Sequence, residues 1–111
     1  MNIYEDENVV VKPSPIEGRG VFAKRPFKTG ETVLRWKVKR LSPQEETNID
    51  EGSKRYVNTL EDGTKVLMQI PERYVNSSTE PNTATAGEAD VAIRDIEVGE
   101  EITSEYPIDS R

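Results

Sequence analysis

The sequence contains no cysteine and no histidine among its 111 residues. Without cysteine, the chain cannot form disulfides, thiolate metal sites or a cysteine nucleophile. Without histidine, a Ser-His-Asp triad, a typical zinc site and histidine acid–base chemistry are excluded within this chain. Any catalysis must therefore use tyrosine, carboxylates, lysine, backbone groups or a bound cofactor, and we predict no metal site.

Long apolar stretches are also missing. Apolar residues make up 33% of the chain and charged residues 32%, and no run approaches the roughly 20 apolar residues of a membrane span. The acidic N-terminus "MNIYEDENVV" does not resemble a signal peptide, so we expect a cytoplasmic protein without membrane contact. A net charge of −6 argues against direct nucleic-acid binding and is compatible with a basic partner.

Short apolar runs separated by turn residues predict a mainly β fold. "NVVVKPSP" has the pattern of a strand closed by two prolines. A strand at Val21 to Ala23 follows a loop in which Gly18 and Gly20 suggest unusual backbone angles. After a turn at Thr29-Gly30, "ETVLRWKVKRL" is predicted to continue as one strand.

The middle of the chain shows a helix signal and a hairpin signal. Ser42 is predicted to cap a short helix, with Pro43 at its first position and Glu45 three residues after the cap. Further on, Asp62-Gly63 predicts a two-residue turn between the two β-rich runs of "RYVNTLEDGTKVLMQI".

One pattern occurs twice. "AKRPFKTGETVL" from Ala23 and "AIRDIEVGEEIT" from Ala92 share the form Ala-x-Arg-x-Φ-x-x-Gly-Glu-x-Φ and start 69 residues apart. Glycine at such a corner supplies backbone freedom and the flanking apolar residues pack. We interpret these two units as scaffold that frames the rest of the chain.

Three segments occur in a fixed order: "GRGVFA" followed by "GETV", then "YVNSSTEPN", then "RDIEVGEEITSEY". In this order, and ending in tyrosine, they resemble the SET domain, the family of S-adenosyl-L-methionine-dependent protein-lysine methyltransferases. The resemblance runs from about Val9 to Tyr106 and predicts a single domain over 1–111. Its motifs lie at 16–23, 73–82 and 94–106, with a variable insert at about 42–55.

The resemblance implies a mainly β, β-clip architecture of several small sheets. In this family the C-terminal segment is threaded, in a knot-like manner, through a loop of preceding chain. That threading brings the asparagine-rich stretch beside the final tyrosine strand.

The resemblance also implies a binding site for S-adenosyl-L-methionine. Backbone groups of the glycine loop would contact the methionine part, Asn76 the amino-acid end, and the backbone beside Asn76 the adenine. Ser77 replaces the histidine of the family motif, so only the backbone at this position is left to serve the adenine. The residues predicted to bind the cofactor are Glu17, Gly18, Arg19, Gly20, Asn76 and Ser77.

Other positions of the motifs receive roles by the same resemblance. Tyr106 corresponds to the active-site tyrosine, and Tyr74 would line the lysine channel. Pro81 and Asn82 would support the site structurally.

From the residues alone, purely structural roles stay open for these positions. Tyr106 can be a half-buried strand aromatic and Asn76 a turn residue. Glu100 and Glu101 are predicted to form a solvated corner, and their adjacent side chains should point to opposite faces.

The leading functional hypothesis is protein-lysine N-methylation of a basic, lysine-containing protein or peptide. The alternative is a catalytically inactive SET-like binding or assembly module, motivated by Ser77 and by the five residues that follow Tyr106. With so short a C-terminal segment, we expect the lysine channel to be open, completed by a second copy in a homodimer, or incompetent. A third reading is a small structural domain without any cofactor.

Overall fold

The fold is built from short strands. The computed structural model describes residues 2–105, and within this range lie ten strands, two short α-helices and one 3-10 turn. The strands are β1 (Val9–Pro13), β2 (Arg19–Ala23), β3 (Thr32–Arg35), β4 (Lys39–Leu41), β5 (Val57–Thr59), β6 (Lys65–Leu67), β7 (Asn76–Ser77), β8 (Thr83–Thr85), β9 (Ala89–Ala92) and β10 (Glu101–Ser104). The helices are α1 (Pro43–Asn48) and α2 (Glu51–Lys54). Tyr106, the predicted catalytic residue, lies outside the described residues.

The strands form three small sheets, with the orders β1-β2-β10-β7, β3-β9-β8 and β4-β6-β5. β7 and β10 are parallel, whereas the other pairs are antiparallel. The parallel pair places the asparagine-rich stretch beside the strand that leads towards Tyr106. The prediction of a mainly β fold of several small sheets is confirmed. The threading of the C-terminal segment stays a prediction.

The two repeated Gly-Glu units pack against each other in the core. The backbone N–H groups of Phe27 and Ile96 each donate to the other residue's carbonyl oxygen, at 2.8 and 2.9 Å, and both side chains are 1% exposed. Each corner glycine also donates a hydrogen bond to the other unit: Gly30 N to Ala92 O at 2.8 Å, and Gly99 N to Ala23 O at 2.9 Å. The repeated units therefore form a reciprocal pair that holds the first two sheets together.

The segment from Thr32 to Leu41 is not one continuous strand, and this prediction was wrong. β3 pairs with β9 whereas β4 pairs with β6, and the chain leaves strand geometry at residues 36–38. There the N–H of Lys37 donates to Glu72 Oε2 at 2.8 Å. Because a side chain from a distant segment accepts this hydrogen bond, the strand ladder stops and the chain passes to the third sheet.

β5 and β6 form a hairpin whose turn is longer than predicted. Leu60 N donates to Thr64 O and Gly63 N donates to Leu60 O, each at 2.9 Å. Residues 61–63 therefore form the loop, and Gly63 has the left-handed φ of +88° that this loop type places at its end. Asp62-Gly63 marked the turn correctly, but the two-residue length was wrong.

Both helices lie in the segment predicted as a variable insert. α1 begins with the capping contacts predicted at Ser42: Glu45 N donates to Ser42 Oγ at 3.1 Å, and Ser42 N donates to Glu45 Oε1 at 3.0 Å. Within residues 2–105, no helix has both the length and the apolar character needed to cross a membrane.

Candidate functional site

The glycine loop connects β1 to β2. Ser14 N donates to Gly18 O at 2.8 Å, and Gly18 has a φ of +44°, which L side chains rarely adopt. Gly20 lies in β2 without a positive φ, so the unusual backbone angle predicted for both glycines occurs only at Gly18. Gly20 is needed for a different reason. A Cβ atom there would lie 2.9 Å from Glu101 Cδ and 3.0 Å from Ser14 Cβ.

β7 brings Asn76 and Ser77 beside the glycine loop. Four oxygen atoms lie within hydrogen-bond distance of Asn76 Nδ2: Glu101 Oε2 at 2.8 Å, Arg19 O at 3.1 Å, and Glu17 O and Ser14 Oγ at 3.2 Å. An amide nitrogen can donate to such acceptors and an amide oxygen cannot, so they fix the orientation of the side chain. The glycine loop and the asparagine stretch therefore meet through the Asn76 side chain.

Glu101 points into this junction, contrary to the predicted solvated corner. Both carboxylate oxygens lie 2.8 Å from Ser14 Oγ, and Oε2 also accepts from Asn76 Nδ2. Glu100 faces the other way, where it accepts hydrogen bonds from Arg94 Nη1 at 3.3 Å and Glu97 N at 2.9 Å. Adjacent strand residues point to opposite faces, so only Glu100 belongs to the outer corner.

Asn82 lies behind the junction and is 1% exposed. Its Oδ1 accepts from Thr103 N and its Nδ2 donates to Glu101 O, each at 2.8 Å. The half-buried Pro81 precedes it directly. The contacts of Asn82 attach the chain that follows the asparagine stretch to β10.

A cleft of about 560 Å³ opens beside the glycine loop and β7, and this volume is typical of small-molecule sites. Its lining consists of Ile16, Glu17, Arg55, Tyr56, Arg73, Val75, Asn76 and Ser77. Three of the six residues predicted to bind a cofactor, Glu17, Asn76 and Ser77, thus line one cleft. The other three, residues 18–20, lie next to it in the glycine loop and β2. Their roles in binding stay predictions.

Tyr56 forms one wall of the cleft between two arginines. Arg73 Cζ lies 4.4 Å from the ring centroid and Arg55 Cζ lies 5.2 Å from it. Arg73 is held in place because its Nε and Nη2 donate to Met68 O at 3.0 and 2.8 Å. Tyr74 packs edge-on against Tyr56, at 6.3 Å between centroids, and against the core. It thus stands behind the cleft wall, and its role in a lysine channel stays a prediction.

Glu72 anchors the segment that precedes β7. It begins a short 3-10 turn, Glu72–Tyr74, and is 3% exposed. Its Oε2 accepts from Lys37 N at 2.8 Å and Gln69 N at 3.0 Å, whereas Oε1 finds no hydrogen-bond partner within residues 2–105. Burial raises the pKa of this carboxyl above its usual range.

A second buried carboxylate, Asp90 in β9, is also 3% exposed. Its Oδ2 accepts from Trp36 Nε1 at 3.1 Å. Burial raises the pKa of Asp90 to about 6, with the negative charge of Glu72 adding to the rise and the Trp36 hydrogen bond opposing it. Glu72 and Asp90 lie outside the cleft lining. Because their pKa values are raised, they affect the free energy of unfolding rather than ligand binding.

Sequence reasoning missed several residues of the site. Arg55 ends the variable insert and Tyr56 directly follows it, and no motif marked either residue. Ser14 and Glu101 were not assigned to the site, and the Gly-Glu-Glu spacing gives no signal of which glutamate faces inward. Arg73 lay within a recognised motif but had received no role.

Two comparisons with known proteins cover most of the chain. A family model described as the SET domain matches residues 18–107. No curated protein sequence matches this chain. Among solved structures, a Plasmodium falciparum protein provisionally assigned as a histone methyltransferase superposes with a TM-score of 0.77 and 18% sequence identity. The match covers 96% of this chain and 98% of that protein, and at this identity it shows a shared fold alone.

Proposed function

The chain belongs to the SET domain family, and on this premise we propose that it is an S-adenosyl-L-methionine-dependent protein-lysine N-methyltransferase. Members of this family are generally methyltransferases. One observation carries the proposal: Glu17 of the glycine loop and Asn76 of the asparagine stretch meet at one cleft of about 560 Å³.

The residues of the cleft fit this cofactor chemically. Asn76 Nδ2 is directed at protein oxygens, so Oδ1 is the polar atom left to accept a hydrogen bond from an ammonium group. The guanidinium group of Arg55 suits a carboxylate, and so does Nη1 of Arg73, the nitrogen that does not donate to Met68 O. Ile16 and Val75 supply apolar surface for the rest of the molecule. When bound, the cofactor supplies an electrophilic methyl group carried on a sulfonium.

The chain itself would align the substrate lysine with the methyl group of the cofactor and remove water from around the lysine. A lysine nucleophile must be neutral, and its pKa in water is about 10.4. Burial beside aromatic walls lowers that pKa, and so does a nearby positive charge. Proton loss through water needs no histidine, and most of the acceleration then comes from alignment. Tyr106, which is expected to orient the methyl group, lies outside the described residues, so its catalytic role stays a prediction from the family.

We further propose a basic, lysine-containing segment as the substrate. The net charge of −6 supports this class, because a negative surface steers positive partners into productive encounters. A homodimer that completes the lysine channel stays a prediction.

The first experiment is calorimetric titration with S-adenosyl-L-methionine. We expect micromolar binding by the wild type and a loss of at least about tenfold in Asn76→Ala, since a hydrogen bond to a charged group is removed. Asn58→Ala, at an exposed asparagine of β5, is the matched control and should bind as the wild type does.

Transfer is measured separately by mass spectrometry on lysine-rich peptides. Tyr106→Phe should keep cofactor binding and lose most of the transfer. Absence of binding and of thermal stabilisation at millimolar cofactor would reject the enzyme and favour the inactive binding module. Binding without transfer to any protein or peptide would favour that module as well.

A further inference from the structure

Glu101 connects the two segments that form the cleft. It is half-buried in β10, next to the cleft but outside its lining. Its carboxylate accepts from Ser14 Oγ and from Asn76 Nδ2, both at 2.8 Å. These two partners belong to the two segments that meet at the cleft, the glycine loop and β7.

The surroundings of Glu101 leave the carboxylate little freedom. The absence of a side chain at Gly20 makes room for it, because a Cβ there would lie 2.9 Å from Glu101 Cδ. Carbon atoms that are not bonded pack at about 3.5–4.0 Å. The Glu101 side chain can therefore lie here only because residue 20 is glycine. Any larger residue at Gly20 must displace the carboxylate from Asn76.

The contact also decides which end of the Asn76 amide is left for a ligand. Of the four oxygens around Nδ2, Glu101 Oε2 is the nearest and carries a formal charge. A charge-assisted hydrogen bond is stronger than a neutral one. If the carboxylate is removed, the remaining acceptors lie at 3.1–3.2 Å and hold the amide less firmly.

We propose that Glu101 is a positioning residue: it clamps the glycine loop to β7 and holds the Asn76 amide so that Oδ1 faces the cofactor's ammonium group. The inference rests on the proposed function, because it takes the amino-acid end of S-adenosyl-L-methionine as the ligand of Asn76. Glu101 itself touches no reacting atom and acts through Asn76.

The test compares two ligands. S-Adenosylhomocysteine carries the amino-acid end, and 5′-methylthioadenosine lacks it. Glu101→Ala should weaken S-adenosylhomocysteine at least about tenfold, the loss expected for a charged hydrogen bond, and leave 5′-methylthioadenosine within about twofold. Glu101→Gln, which keeps an acceptor for Asn76 Nδ2, should recover most of the affinity. Glu100→Ala, on the opposite face, is the matched control and should change neither affinity.

A substitution at Gly20 tests the contact between Glu101 and Asn76 without changing either residue. Gly20→Ala should reproduce the selective loss of Glu101→Ala, because the new methyl group displaces the carboxylate. The double variant Gly20→Ala/Glu101→Ala should bind no more weakly than Glu101→Ala, since two changes that act through one contact are not additive. Fully additive losses would mean that the two residues act independently, which overturns the proposal.

A measurement without ligand keeps the inference separate from the proposed function. In ¹H–¹⁵N spectra, the side-chain NH₂ signals of Asn76, assigned by their loss in Asn76→Asp, should move markedly in Glu101→Gln and stay in place in Glu100→Gln. If the wild type binds neither ligand, the cofactor proposal fails, and with it the role of Glu101 towards a cofactor. If the wild type binds and Glu101→Ala weakens both ligands equally or neither, the positioning role alone is overturned.

Discussion

Replacement of Asp90 by asparagine should stabilise the protein at neutral pH. Asp90 is 3% exposed, and its pKa is raised from 3.8 to about 6. Burial is the main cause, and the nearby charge of Glu72 adds to it. The folded state therefore pays a free-energy cost whenever this carboxyl is ionised, and a neutral amide of the same shape avoids that cost.

The sign and the size follow from proton linkage. A group whose pKa is raised by folding contributes full stability below its unfolded pKa, and that contribution is lost as the pH rises through the folded pKa. For Asp90 the window runs from 3.8 to about 6. A difference of about two units corresponds to about 3 kcal/mol in the free energy of unfolding. The amide's N–H group needs an acceptor, and failure to find one costs about 1–3 kcal/mol at every pH.

The assay is urea denaturation at several pH values between about 4 and 7.5. The transition is followed by circular dichroism and by fluorescence of Trp36, the single tryptophan. The free energy of unfolding of Asp90→Asn minus that of the wild type should increase by about 3 kcal/mol from about pH 4 to pH 7. Glu61→Gln, at an exposed position in the β5–β6 loop, controls for the loss of one negative charge.

The reasoning fails if the wild-type and Asp90→Asn curves run parallel across this range. Parallel curves would mean that the folded state binds no additional proton at Asp90. A constant offset between them would then report only the hydrogen bonding of the amide.

Three further substitutions test the fold by urea denaturation. Ser42→Ala removes the cap of α1 and should cost about 1 kcal/mol; an unchanged midpoint would mean that this helix adds nothing to global stability. Ile96→Ala should cost about 2–5 kcal/mol, whereas Val98→Ala, at a side chain 62% exposed, should cost far less; equal losses would contradict the assigned core. Asn82→Ala leaves the buried N–H of Thr103 without its acceptor and should cost about 1–3 kcal/mol, and a neutral result would show that water replaces the asparagine.

Local patterns in the sequence were sufficient for much of the fold. The alternation of apolar and polar residues and the glycine-containing turns located most strands, and the order of three motifs identified the family. The break after β3 was not predictable, because it depends on Glu72, which lies 35 positions beyond Lys37 in the chain. Hydrogen bonds between distant segments leave no local pattern.

The same limit applied to the site. The glycine loop and Asn76 were recognisable as motif positions, but Tyr56 comes from a segment without a motif. For Glu101 the alternation along β10 predicted that it and Glu100 would face opposite ways. It could not predict which of them faces inward, because that depends on where β2 and β7 lie beside the strand.

The reciprocal pairing of Phe27 with Ile96 has a consequence for how the chain folds during synthesis. Phe27 leaves the ribosome long before Ile96 has been translated, and until then its backbone lacks this partner. Contacts between residues so far apart close slowly, because chain entropy must be lost before any contact is gained. We therefore expect nascent chains arrested before Ile96 to stay open to proteases, and the native core to form only once Ile96 has emerged.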